Sequence, residues 1–337
     1  MVVINSIDIS PPLINTSCAW ASDKAQLEAL FACQHTGAVT TRTATLEGFA
    51  ENNTHTVVFN ADDSTLNSYG YSPHPLKQYL QWIPEILTAS GAGSAKPFIL
   101  SITSSSAATL RDMISAIQAV RHMTLDDSAS TKPWLTRIAI ELNTSCPNIA
   151  SAPPSAYAPA DGAFPELLSV IAEAHRADSS LTIGLKLPPF VYTGQFHAVL
   201  ASVAALSYDA PAEATRASGR VNPVAFFTCT NTLGNSLFFA SQVQRAESDA
   251  STLALPTGLG GLAGSALHPL ALGNVFTFRN LLDASSDGAL GRITIIGVGG
   301  VTDTEGTARM HAAGAKVVGA ASALGKYGVT AFEKLRI

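Results

Sequence analysis

Ile138-Ala-Ile-Glu-Leu-Asn-Thr-Ser-Cys-Pro-Asn148 is the stretch from which the rest of the chain can be read. Ile138, Ile140 and Leu142 point one way and Ala139, Glu141 and Asn143 the other, which is the period of a β-strand. Thr144 and Ser145 let the chain leave the strand, and Cys146-Pro147-Asn148 follows in a turn-prone setting. Asn143, Cys146 and Asn148 therefore gather at one strand end, two carboxamides that donate and accept hydrogen bonds around one thiol. A thiol can act as a proton-abstracting base where its surroundings favour the thiolate. A lone cysteine beside a turn is more often structural, but the N-x-x-C-P-N arrangement after a strand reverses that expectation.

Bulk composition narrows the classes. The chain has 337 residues, 47% apolar and 13% charged, with a formal net charge of −5. That is ample for a large core and too apolar for disorder. It leaves no basic face for nucleic acid and no polybasic membrane arm. No uninterrupted apolar run approaches a bilayer span, and Met1–Asp8 does not read as a signal peptide. Cys18, Cys33, Cys146 and Cys229 are scattered with no C-x-x-C pair, which argues against a metal site or disulfide framework and for a reducing cytosol.

Outward from 137–143, strands and helices alternate. Strands are expected at 37–43, Leu66–Tyr69, Pro97–Ile102, 137–143, Leu181–Leu187, Val224–Asn231, Ile293–Gly297 and Lys316–Ala320. Residues 11–18 read only as an extended start. Helices are expected through 23–33, 76–87, 110–120, 165–176 and 269–282, several with apolar residues at helical spacing. The 149–162 stretch reads as a lid, and 44–66 and 235–265 as rim insertions. The pattern predicts an α/β fold of the (β/α)8 TIM-barrel kind, one domain over 1–337. A doubly wound open sheet is the alternative. Arg42, Asn67, Asn143, Lys186 and Asn231 lie at or near the C-terminal ends of different strands, where such barrels place their chemistry.

Gly297-Val-Gly-Gly300 follows the seventh strand and Ala321-Ser322 the eighth. In barrels these loops commonly cradle a phosphate. Gly258-Leu-Gly-Gly261 is a second backbone approach to a cofactor, or a flexible loop. An inward Lys186 needs an anionic partner or a ligand. It could form a Schiff base, support a reduced flavin, or pair with Glu141 in the core. Asn67, Asn143, Asn148 and Asn231 suit a flat, polar, imide-like ring. Cys18, Cys33 and Cys229 read as packing residues, and His74, His268 and His311 as loop or surface positions without metal spacing.

The runs Glu141–Asn148, Gly184-Leu-Lys-Leu-Pro-Pro189, Thr228-Cys-Thr-Asn-Thr-Leu-Gly-Asn235 and Ile295–Gly300, with Asn67-Ser-Tyr-Gly70, resemble dihydroorotate dehydrogenase from about residue 4 to the C-terminus. Cys146 points to the soluble class 1, and the single-chain organisation to subclass 1A. The resemblance implies FMN across the barrel mouth, its phosphate at Gly299, Gly300 and Ser322 and its ring beside Lys186. It also implies Ser17, Cys18, Arg42, Thr43, Asn67, Asn143, Gly260, Gly261 and Ala321 along the cofactor. The substrate would lie against Arg42, Asn67, Tyr69, Gly70, Tyr71, Asn143, Asn148, Asn231 and Thr232. Cys146 would take a proton from dihydroorotate, giving orotate in pyrimidine biosynthesis, and fumarate would reoxidise the flavin. Such enzymes are cytosolic homodimers.

This chain departs from the family at three places. Arg42 stands where the family has lysine, Cys18 where it has a small glycine, and Tyr69-Gly-Tyr-Ser-Pro-His74 replaces Met-Gly-Leu-Pro-Asn. Two other readings follow: a paralogous FMN oxidoreductase acting on another cyclic amide or enone, and a Schiff-base lyase using Lys186.

Overall fold

The alternation in Ile138–Asn143 decides which side of the sheet each residue meets. Ile138, Ile140 and Leu142 pack outward against the helices, whereas Ala139 belongs to a separate apolar cluster inside the sheet. Glu141 and Asn143 share that inner side. Gly184 is inward too: a Cβ there would come within 2.2 Å of the Phe226 ring, so the phenyl group fills that layer. Lys186, two residues on, rises above it toward the mouth.

A computed structural model describes every residue except 91–93, 124–133, 150–153, 161, 211–218 and 244–250. Eight parallel strands lie side by side, in spatial order Leu13–Asn15, Val317–Ala320, Thr294–Val298, Val224–Cys229, Ile183–Leu187, Ile138–Asn143, Phe98–Ile102 and Val39–Thr40. Helices such as Leu76–Ala89, Ala107–Arg121, Ala163–Ala177 and His268–Asp283 cover the outside. The result is the α/β TIM barrel expected. A hairpin of Val2–Ile4 and Ile7–Ile9 adds Ile4, Ile7 and Ile9 to the interior cluster and closes the end opposite the site. Asn5 holds it there by donating to the carbonyls of Ser179 and Leu181.

One barrel strand differs from expectation. Leu13–Asn15 supplies a barrel position, while the stretch expected as the second barrel strand lies elsewhere. Ser64–Asn67 pairs antiparallel with Leu259–Gly264 and Val57–Phe59 in a four-stranded rim sheet completed by Leu233–Leu237. Both insertions therefore meet in one layer over the mouth. Part of the expected 149–162 lid, 150–153 and 161, lies outside the described residues.

The barrel's seam, between Leu13–Asn15 and Val39–Thr40, is closed by a side chain. Asn15 Nδ2 donates to the Thr40 carbonyl at 2.6 Å, and the Thr40 N–H donates to Asn15 Oδ1 at 2.9 Å. A carboxamide here stands in for the facing peptide, and Asn15 is fully buried. Leaving a buried donor or acceptor unmade costs about 1–3 kcal/mol. Asn15→Ala is therefore expected to lower the urea midpoint by the equivalent of about 2–4 kcal/mol. Asn15→Asp, which sets a buried carboxylate oxygen against the Thr40 carbonyl, should be at least as destabilising as alanine. Equal midpoints for all three would show that the seam holds without this clasp.

Candidate active site

At the C-terminal ends of the strands the barrel opens into a cavity of about 1180 Å³, mouth included. A buried carboxylate lies in the barrel wall behind the residues that line the cavity. Glu141 is buried, and Ser101 and Thr228 donate hydroxyl protons to its two carboxylate oxygens at 2.9 and 2.7 Å. Ser101 Oγ in turn meets Thr43 Oγ1 at 2.9 Å, and Thr43 meets Ser17 Oγ at 2.8 Å. A hydroxyl has one proton to give, and Ser101 gives its to Glu141, so Thr43 donates to Ser101 and Ser17 to Thr43. Asn143 Nδ2 also donates to Thr43, at 3.0 Å.

Lys186 is not part of this chain. Lys186 is 5% exposed, and its ammonium donates to the Ser17 carbonyl at 3.4 Å. Among the described residues no carboxylate oxygen comes within 4.0 Å of it. The core ion pair with Glu141 is therefore not made. A cation lining a cavity with one long carbonyl contact is poised for a ligand.

Two buried hydroxyls lead to the same conclusion. Thr16 and Thr230 line the cavity, and their Oγ1 atoms have no partner among the described residues. The glycines complete the wall. At Gly300, φ is +66° and a Cβ would lie 2.4 Å from the Gly264 carbonyl oxygen; at Gly319 it would lie 2.3 Å from Thr16 Cγ2. Ala321 and Ser322 line the same end, and Ser322 Oγ shares a 3.2 Å hydrogen bond with Thr65. His268, read from sequence as a surface or loop residue, is buried. Its Nδ1 meets the Gly299 carbonyl at 2.7 Å, and its Nε2 accepts from Arg309 at 3.3 Å. It braces the glycine turn from behind.

At the other end the four carboxamides converge. Asn148 Nδ2 donates to the carbonyl of Tyr69 at 2.8 Å and to Asn67 Oδ1 at 3.1 Å. Asn67 Nδ2 donates to the Gly261 carbonyl at 3.1 Å. Asn231 Nδ2 donates to Ser145 Oγ at 2.9 Å, and Ser145 Oγ to Asn143 Oδ1 at 3.0 Å. The Thr232 N–H donates to Asn231 Oδ1. Cys146 lines the cavity between these groups. Burial pushes its thiol above the ordinary value, opposed by the Asn148 N–H and then by the charges of Lys186 and Arg42. Cys18 is pushed up to about 11, again chiefly by burial.

Ser17, Cys18, Arg42, Thr43, Tyr69, Gly70 and Tyr71 also line the cavity. Gly260 and Gly261 do not. They lie against Asn67 and Thr232, and the residues of their strand that reach the cavity are Ala263 and Gly264. Arg42 is turned toward Glu51, Ser22 Oγ and the Gly70 carbonyl, with its guanidinium 5.3 Å from the centre of the Tyr69 ring. Neither Thr16, Thr230 nor Glu51 carried a readable sequence signal; His268 had only its chemistry to mark it.

The family model described as dihydroorotate dehydrogenase matches residues 2–336. A Streptococcus pneumoniae protein named "Probable dihydroorotate dehydrogenase A (fumarate)" is 27% identical over 299 residues, 89% of this chain and 79% of its own length. A Streptococcus equi protein named "Putative dihydroorotate dehydrogenase A (fumarate)" is 27% identical over 323 residues, 96% and 86% of the two chains. The chain belongs to the dihydroorotate dehydrogenase family, whose members are FMN flavoproteins and oxidoreductases. The unpartnered Thr16 and Thr230 hydroxyls, the uncompensated Lys186 and the glycine wall fit such a group.

Gly300→Ala tests the cradle. The new methyl group meets fixed backbone, and a left-handed φ costs a non-glycine residue about 1–2 kcal/mol. The variant should fold, by circular dichroism, yet bind FMN with a Kd raised about tenfold or more, since 1.4 kcal/mol is tenfold in binding. A parental FMN Kd would show that this turn does not hold the cofactor.

Proposed function

We propose that this member of the dihydroorotate dehydrogenase family works as one barrel domain over 1–337 and oxidises dihydroorotate to orotate. The observation that carries the reading is the convergence of Cys146, four asparagines and Lys186 on one cavity that the glycine turns also line. FMN, when bound, supplies the two-electron acceptor that this oxidation requires. Lys186, Gly299, Gly300, Ala321 and Ser322 would hold it, together with Ser17, Cys18 and Thr43.

Asn67, Asn143, Asn148 and Asn231 read the alternating N–H and C=O groups of the substrate ring, because a carboxamide can donate or accept at either. Their mutual hydrogen bonds preset these orientations, which lowers the ordering cost of binding. Thr232 orients Asn231 through its N–H. Cys146 removes the C5 proton as thiolate. Lys186 and Arg42 both favour that anion, and burial opposes it.

Fumarate as final acceptor is supported by the names of the relatives. A cytosolic homodimer follows from the family resemblance. Among the described residues no helix is long and apolar enough to cross a membrane. A second reading, oxidation of a related cyclic amide, is favoured by one observation: Arg42 already has a carboxylate partner, Glu51.

Anaerobic mixing with dihydroorotate should bleach the flavin of the parent. Cys146→Ala should keep FMN and slow bleaching by about 10²–10⁴-fold, the usual contribution of a general base. Parent-rate bleaching by that variant would remove Cys146 from the chemistry. Bleaching by another saturated cyclic amide, but not by dihydroorotate, would establish the second reading.

The pH profile follows from the thiol. Its proton is held above the ordinary value of 9.0 in the free protein, and kcat/KM reports the free protein's ionisations. For flavin reduction kcat/KM should climb about tenfold per pH unit through neutrality and level only above pH 9. A plateau already reached at pH 7 would contradict Cys146 as the titrating base.

A further inference from the structure

Arg42 is 5% exposed, and its one anionic partner among the described residues is Glu51. Glu51 sits on the 44–56 excursion, outside the residues that line the cavity, and its side chain is 29% exposed. The segment carrying it is docked onto the 69–72 loop. The Phe49 N–H donates to the Ser72 carbonyl at 2.8 Å, and the Phe49 ring meets Tyr71 edge-on at 5.8 Å. A Cβ at Gly70 would lie 2.2 Å from that ring, so Gly70 makes the docking possible. The guanidinium thus has the cavity on one side and the Glu51 carboxylate on the other. Its other contacts, Ser22 Oγ at 3.2 Å, the Gly70 carbonyl at 3.3 Å and the Tyr69 ring, are neutral.

We infer that Glu51 is a positioning residue that sets the charge preference of the substrate end, by acting as an internal carboxylate competitor for Arg42. This rests on the dihydroorotate reading above. With Glu51 in place the arginine is already neutralised, so an incoming carboxylate gains little from it unless it displaces Glu51 or shares the guanidinium. Without a ligand, Arg42 gains from an anionic partner, because a buried unpaired cation is costly. Its partner, by contrast, is partly exposed already and can be re-solvated on release. The arrangement trades affinity for an anionic ring against tolerance of a neutral one.

The test is direct binding to the FMN-loaded protein, followed by the change in flavin absorbance. The probes are orotate and its uncharged amide, orotamide, and the proteins are the parent and Glu51→Gln. Glutamine keeps the size and a hydrogen-bond acceptor but removes the competing charge. The expected result is an orotate Kd about tenfold lower in the variant, with orotamide affinity and FMN content unchanged; tenfold corresponds to about 1.4 kcal/mol. Orotate binding that is unchanged or weaker in the variant overturns the inference and leaves the dihydroorotate reading standing. It would mean that Glu51 merely holds Arg42 in place. Equal tightening of orotate and orotamide also overturns it, since the effect would then not concern charge. Failure of both proteins to bind orotate removes the dihydroorotate reading, and the inference with it.

Discussion

Two buried charges of opposite sign line this barrel, and they do not pair. Glu141 spends its carboxylate on the hydroxyls of Ser101 and Thr228, and Lys186 is left with a 3.4 Å contact to a carbonyl. Hydroxyl donors can stabilise a buried carboxylate without a counter-ion. The arrangement therefore frees the ammonium for whatever enters the cavity. Had Ser101 and Thr228 been apolar, Glu141 would have needed a cation, and Lys186 is the inward cation on the adjoining strand.

The same hydroxyl chain links carboxylate and mouth. From Glu141 it runs through Ser101 and Thr43 to Ser17, with Asn143 donating into it. These residues come from separate parts of the barrel wall, so the chain fixes their relative positions as well as their protons. The substrate end has its own frame, in which Asn148 ties the end of one barrel strand to Asn67 and Tyr69 on the rim. The rim sheet is thus a wall of the site, and its strands bring Asn67 and Ala263 to the cavity.

Sequence patterning was strong wherever a strand was long and half its residues faced helices. Ile138–Asn143 and Ile183–Leu187 were legible down to the inward placement of Glu141, Asn143, Gly184 and Lys186. Leu13–Asn15 was not, because three residues after two prolines carry no measurable period, and pairing partners far along the chain decide their role. Ser64–Asn67 shows the converse: a short apolar-polar run is equally good for barrel or rim, and its partner Gly261 lies almost two hundred residues on. Gly258–Gly261 reads in the sequence as a close backbone approach to a cofactor or as a flexible loop. The approach is real, but it is to Asn67 and Thr232. Glu51 was invisible for another reason, since a lone acid in a polar, turn-rich excursion looks like any solvated residue until Arg42 is placed beside it.

The central claim is that the cavity reserves the Lys186 ammonium for FMN. Its most direct measurement is of what the purified protein carries. Denaturation should release roughly one FMN per chain, and Lys186→Met should lower that content or weaken FMN rebinding while the barrel stays folded, because loss of a favourable buried charge contact costs affinity. Colourless protein in which borohydride links Lys186 covalently to a carbonyl compound would contradict the account and restore the Schiff-base reading.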